Sequence, residues 1–128
     1  MTSLTNRIRA GGFIQSEANF ARSRDQVIIH GGFTGAAVLL AGTVLGKITS
    51  GGKYTISPDT GSDGSQTAVA ILWDDVDPTL GDVVAAVVSR DAEVRGADLA
   101  FDSSVGTDST KRAAKATQLA AVGIIVRS

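Results

Sequence analysis

Ser62-Asp63-Gly64-Ser65-Gln66-Thr67-Ala68-Val69-Ala70-Ile71-Leu72-Trp73 decides the fold. Asp-Gly between serines is turn chemistry, because Gly accepts positive φ and Asp bonds to its own backbone. The apolar run that follows ends on the chain's only Trp. A short apolar run launched by a turn is the pattern of a buried strand. It is expected to be the central strand, with turn-punctuated strands on either side.

Upstream, Ser57-Pro58-Asp59-Thr60-Gly61 belongs to a loop by its breakers. Before it lies the clearest hairpin. A strand over residues 44–49 meets the turn Ser50-Gly51-Gly52, and Lys53-Tyr54-Thr55-Ile56 alternates on the way back. Gln26-Val27-Ile28-Ile29-His30 is a short strand closed by Gly31-Gly32, and residues 34–40 form a further extended piece. Residues 13–25 carry alternating charges and are expected to be an irregular, surface-hugging segment.

Downstream, Asp74-Asp75-Val76-Asp77-Pro78 is an acidic turn and Gly81-Asp82 another. Residues 83–88 make a second strong apolar strand, which Arg90-Asp91-Ala92-Glu93-Val94 is expected to continue. Asp108-Ser109-Thr110 can cap a helix, and residues 111–121 are good helix formers. Leu119 and Val122, with Ala113, Ala116 and Ala120, would pack that helix on the sheet. Gly123 suits the left-handed position after it, and Ile124-Ile125-Val126 is a last strand. The fold class is therefore mainly β with one C-terminal α-helix (α+β), in a single domain.

The composition agrees. The chain has 128 residues, 43% hydrophobic but only 5% aromatic, with 15 Gly and 2 Pro. Small aliphatic residues must fill the core, and many tight turns must join short strands. No Cys is present, which excludes disulfides, thiolate metal sites and a Cys nucleophile. A net charge of −1 gives no global pull toward nucleic acid or anionic lipid. No apolar run approaches the ~18 residues that a membrane span needs. Residues 1–12 are polar and small, lack the pattern of a signal peptide, and are expected to form an arm outside the packed domain.

Candidate chemistry is sparse. His30 is the only histidine and has no nucleophile or orienting acid near it in sequence. Asp74, Asp75 and Asp77 miss the spacing of a calcium loop. No glycine run matches a phosphate-binding loop. Arg22 and Arg24 are neutralised locally by Glu17 and Asp25, which favours salt bridges within or between subunits over nucleic acid. Asp91 and Glu93, two apart on the expected strand, share a face but lack aromatics for a sugar cleft. No catalytic, cofactor-binding or metal-binding residue is expected, and the chain is expected not to be an enzyme.

In order and spacing, several blocks are similar to a known family. They are Ser16-Glu17-Ala18-Asn19 with Arg22-Ser23-Arg24-Asp25; Ala41-Gly42-Thr43-Val44-Leu45-Gly46; Ser62 to Leu72; Arg90-Asp91-Ala92-Glu93-Val94; and Leu119-Ala120-Ala121-Val122-Gly123-Ile124-Ile125-Val126. Together they resemble the lambda-type bacteriophage head decoration proteins. The resemblance implies a compact β-clip-like domain, residues 13–128, behind an N-terminal capsid-binding arm, residues 1–12. It implies a homotrimer on the outer surface of the expanded capsid, at three-fold and quasi-three-fold positions. There it would cement major capsid protein subunits against internal DNA pressure, after synthesis in the bacterial host cytoplasm. The arm would add to a capsid β-sheet. Leu4, Thr5, Arg7, Ile8, Arg9 and Phe13 are its expected contact residues, with Leu4 and Ile8 on one face of an extended strand. Glu17, Arg22, Arg24 and Asp25 are expected subunit-contact charges. No cofactor, nucleic acid or membrane partner is implied. Ala41 to Gly46 is also similar to small β-clip domains, which leaves an oligomeric carbohydrate-binding or adhesion module as the alternative.

Overall fold

The structure, a computed structural model, describes residues 10–17 and 23–127. Eight strands, a short 3-10 turn and one α-helix follow in chain order. They are β1 (Ile14–Glu17), β2 (Arg24–Ile29), β3 (Val44–Lys47), β4 (Tyr54–Ile56), β5 (Ala68–Leu72), β6 (Val83–Val88), β7 (Ala92–Arg95), the 3-10 turn (Gly96–Asp98), α1 (Ser109–Ala120) and β8 (Ile124–Arg127). The chain is mainly β with one C-terminal helix, as its sequence indicates. Five strands close into a small barrel in the order β2-β4-β3-β5-β6, and β1-β7-β8 make a separate three-stranded sheet.

β5 sits between β3 and β6 and feeds two cores. Ala70 and Leu72 face the barrel interior with Ile29, Leu45, Ala85 and Val87. Ile71 points the other way, into a second core with Phe13, Val44, Val88, Val94, Leu119 and Ile124. Both faces of the strand are covered, which is why its sequence is a continuous apolar run rather than an alternation. At Gly46 the backbone of the launching turn comes so close that a Cβ would lie 1.9 Å from the Ser65 carbonyl oxygen. Only a glycine fits there.

Three expectations need correction. Residues 13–25 are not irregular throughout. Ile14–Glu17 pairs antiparallel with β7, and Arg24 begins β2. β1 and the polar start of β2 lie at or near the surface and carry little apolar signal. Residues 90–94 do not continue β6. Asp91 adopts a φ of +52°, which ends one strand and sends the chain into the other sheet. Residues 34–40 contribute only an isolated bridge, Leu39 to Val76.

The helix is capped by Asp108, whose Oδ1 accepts from the N–H groups of Thr110 and Lys111. Leu119 is buried as expected, and Ala116 and Val122 are half-buried, but Ala113 and Ala120 are exposed and the other buried helix residue is Lys115, one turn before Leu119. Lys115 Nζ donates to Ser57 Oγ (2.9 Å), the Pro58 carbonyl (2.6 Å) and the Gln66 carbonyl (2.5 Å). Three protons meet three acceptors. Burial pushes the Lys115 ammonium down from its ordinary value, against the pull of Asp59 and Asp102. Gln118 Oε1 accepts from the Ala68 N–H at 2.7 Å. The helix thus fixes the turn that launches β5.

Candidate functional site

The described chain begins on the domain itself. Gly11 N–H donates to the Trp73 carbonyl at 2.9 Å. A Cβ on Gly11 would fall 2.3 Å from the Trp73 ring, so the glycine lets the backbone lie flat on the indole. Phe13 is wholly buried and meets Trp73 edge-on, with ring centroids 6.4 Å apart. Phe13 was expected to be an arm contact. Its side chain is instead part of the core, because an aromatic of that size next to Gly11-Gly12 fills the space between the two sheets. Leu4, Thr5, Arg7, Ile8, Arg9 and Arg22 lie outside the described residues.

Around this root sit two charge clusters. The Arg24 guanidinium carbon lies 3.7 Å from the centre of the Trp73 ring. Arg24 Nη2 donates to Glu17 Oε1 at 2.5 Å, and Ser23 Oγ donates to Glu17 Oε2. The Arg24 hydrogen bond, helped by Ser23, holds the Glu17 carboxyl below its ordinary value. Asp25 accepts from Ser89 Oγ at 2.6 Å and from Arg90 Nη2, and these bonds lower its pKa likewise. Glu17, Arg24 and Asp25, expected as subunit-contact charges, are therefore partnered within the chain. A carboxylate with a depressed pKa stabilises the fold above its unfolded value and loses that stabilisation as the pH falls. The stability advantage of the wild type over Glu17→Gln should be complete above about pH 5, and should vanish as the pH drops below the ordinary 4.5 through the lowered value. Denaturant melts of both proteins across that range measure it. A gap that persists unchanged into acid would mean that Glu17 is not held by Arg24.

Among the described residues the candidate groups for chemistry are held in structural contacts. His30 stacks on Phe33 with centroids 4.7 Å apart, and its Nδ1 stands 3.8 Å from Asp82 Oδ1. Asp82 is already engaged by the Gly31 N–H and by Lys53. In the acidic turn, Asp75 Oδ1 accepts from the Ala41 N–H, and Asp77 Oδ1 accepts from Thr79. Asp77 closes a local turn, and Asp75 ties the acidic turn to the segment before β3. Among the described residues no group of three or more His, Asp or Glu side chains could hold a metal. Glu93 meets Arg127 at 3.3 Å, while Asp91 lies in the break before β7, so the two acids do not form a pair on one strand face. Trp73 has Arg24 over its ring.

What the surface offers is apolar contact. Ile28 and Val84 are cross-strand partners, 46% and 63% exposed. Phe33, Val38 and Leu40 are also exposed, and Leu80 stands almost free of the surface at 99%. Apolar side chains turned outward in this way are suited to contact with another protein. A sequence model of the bacteriophage lambda head decoration protein D family matches residues 3–124. The chain belongs to that family. It is a phage head decoration protein, a structural protein of the capsid, and the family is not enzymatic. No curated protein matches the chain. The family match spans both cores, so the decoration protein's characteristic sequence is that of the whole double-core domain together with most of the segment before it.

Proposed function

We propose that this decoration protein acts as a homotrimer on the outer surface of the expanded capsid. It sits at three-fold and quasi-three-fold positions and cements major capsid subunits against internal DNA pressure, with residues 1–12 as the capsid-binding arm. Family membership carries the proposal. The root of the arm supports it. Gly11 is bonded to Trp73 and Phe13 is locked in the core, so a pull on the arm is transmitted to the domain without unwinding it.

An extended arm can add its main-chain donors and acceptors to a sheet edge. Leu4 and Ile8 supply apolar anchors on one face, and Arg7 and Arg9 supply positive charge. Three arms on one trimer act together, so modest single contacts give firm attachment. Binding only the expanded shell stabilises that state by mass action.

Removing residues 1–9 tests this. The truncated chain keeps Gly11 on Trp73 and should remain a folded trimer with an unchanged melting temperature, while capsid binding is lost. Cosedimentation with expanded heads and analytical ultracentrifugation read the two properties separately. Normal decoration by the truncated protein would overturn the arm mechanism.

A further inference from the structure

The barrel closes unevenly. β2 pairs with β6 along all six of its residues, but with β4 only at Ile29 opposite Tyr54. The register shows which backbone groups this leaves unanswered. Ser89 N–H donates to the Ser23 carbonyl, so residues 23, 25, 27 and 29 exchange hydrogen bonds with β6. Residues 24, 26 and 28 then point their N–H and C=O groups the other way, as antiparallel ladders require. His30 N–H, of the same parity, reaches the Tyr54 carbonyl at 2.8 Å. Ahead of that contact β4 no longer pairs with β2. The N–H groups of Gln26 and Ile28 and the Gln26 carbonyl face the gap, and among the described residues no strand answers them there.

The gap is a groove of about 520 Å³, lined by Asp25, Gln26, Ile28, Gly52, Lys53 and Val84 among others, with Lys47 on its far wall. Ile28 and Val84 make its rim apolar. Its charge is one-sided. Asp25 is taken by Ser89 and Arg90, and Lys53 by Asp82. Lys47 is exposed, and no ion pair involves it among the described residues.

We propose that this groove takes an extended segment of the capsid, which adds to the open edge of β2. The occupant's chemistry follows from the walls. Its backbone must supply acceptors to Gln26 and Ile28 and a donor to the Gln26 carbonyl, as in strand addition. It places an apolar side chain over Ile28 and Val84 and a carboxylate opposite Lys47. The chain's own arm is a poor fit, because Arg7 and Arg9 would meet Lys47. The proposal rests on the capsid being the partner but not on the arm. A decoration protein would then both give a strand to the shell and receive one from it.

Hydrogen exchange on free and decorated heads tests it. The Gln26 and Ile28 amides should exchange rapidly in the free protein and become protected on heads. Unchanged exchange at both would overturn the proposal. A backbone variant adds an independent reading. Gln26→Pro removes one N–H that faces the groove and none that faces β6, a position where edge strands tolerate proline. It should weaken capsid binding at least about fivefold, the worth of one backbone hydrogen bond, while Gln26→Ala binds as wild type. Equal binding by Gln26→Pro would also overturn it. If residues 1–9 prove dispensable and the two amides are still protected, the arm mechanism fails and the groove stands; the reverse pattern separates them the other way.

Discussion

Phe13→Ala should lower stability by about 4 kcal/mol, in the range for removing a fully buried aromatic. The residue has no exposed surface. Its ring touches the core shared by β3, β5, β6, β7, β8 and α1 and lies edge-on to Trp73, an arrangement worth something beyond the buried area. Its carbonyl accepts from the Arg95 N–H at 2.8 Å, so the backbone around the cavity is held and cannot collapse to fill it. In a domain of this size the loss corresponds to a fall of roughly 15 °C in melting temperature. Calorimetry measures it directly. A change under about 1 kcal/mol, the size of an ordinary surface effect, would return Phe13 to the list of arm contacts. The variant should also loosen the arm's root, so capsid binding should weaken even at temperatures where the domain stays folded.

The second large effect is expected at Lys115. Lys115→Met keeps the length and the apolar stem but removes the ammonium. The Pro58 and Gln66 carbonyls lose their donor, and Ser57 Oγ loses one of its two partners, keeping its bond to the Ser65 carbonyl. Each unsatisfied buried acceptor costs about 1–3 kcal/mol. Part of that is offset because the methionine no longer carries a desolvated charge. The net loss should be about 3 kcal/mol. It should be local as well as global. Hydrogen exchange should quicken first in the 57–66 loop and at Ala68, which the same helix face secures through Gln118. A Met variant as stable as wild type would mean that the three acceptors find other donors.

Much of this architecture is legible in the residues. β2, the β3–β4 hairpin, β5, β6, the capped helix and β8 all stand out because each is an apolar or helix-forming run bounded by turn residues. What the sequence hides has a physical cause in each case. Residues 68–72 and 83–88 are apolar on both faces, so nothing in them tells which side chain enters which core, or that the sheet closes on itself. β1 and β7 are four residues each and partly polar, which is too little for a period-two signal. The turn at Asp91 uses a positive φ without a glycine to announce it. In the helix, alanines look like the buried face, yet they offer little area to bury. The lysine stem offers more, and its amine meets carbonyls that only the folded loop supplies. Phe13 looks like part of a polar arm because its partners come from elements more than thirty residues away. The remaining arm contacts Leu4, Thr5, Arg7, Ile8 and Arg9 rest on resemblance alone.

The turn before β5 bears on how the particle ages. Among aspartyl dipeptides Asp-Gly is the most prone to succinimide formation, in which the glycine amide nitrogen attacks the aspartyl carboxyl carbon, water leaves, and hydrolysis of the ring can return a rearranged backbone. The attack needs a protonated carboxyl and a free amide. Here Asp63 Oδ1 accepts from both the Ser65 N–H and Ser65 Oγ, which holds the carboxyl below its ordinary value and keeps it ionised. The Gly64 N–H is occupied by Gln66 Oε1 at 2.9 Å. The protonated carboxyl is made scarcer and the amide is engaged, so a turn that isomerises in a loose peptide is slowed from doing so in the folded protein of the phage head.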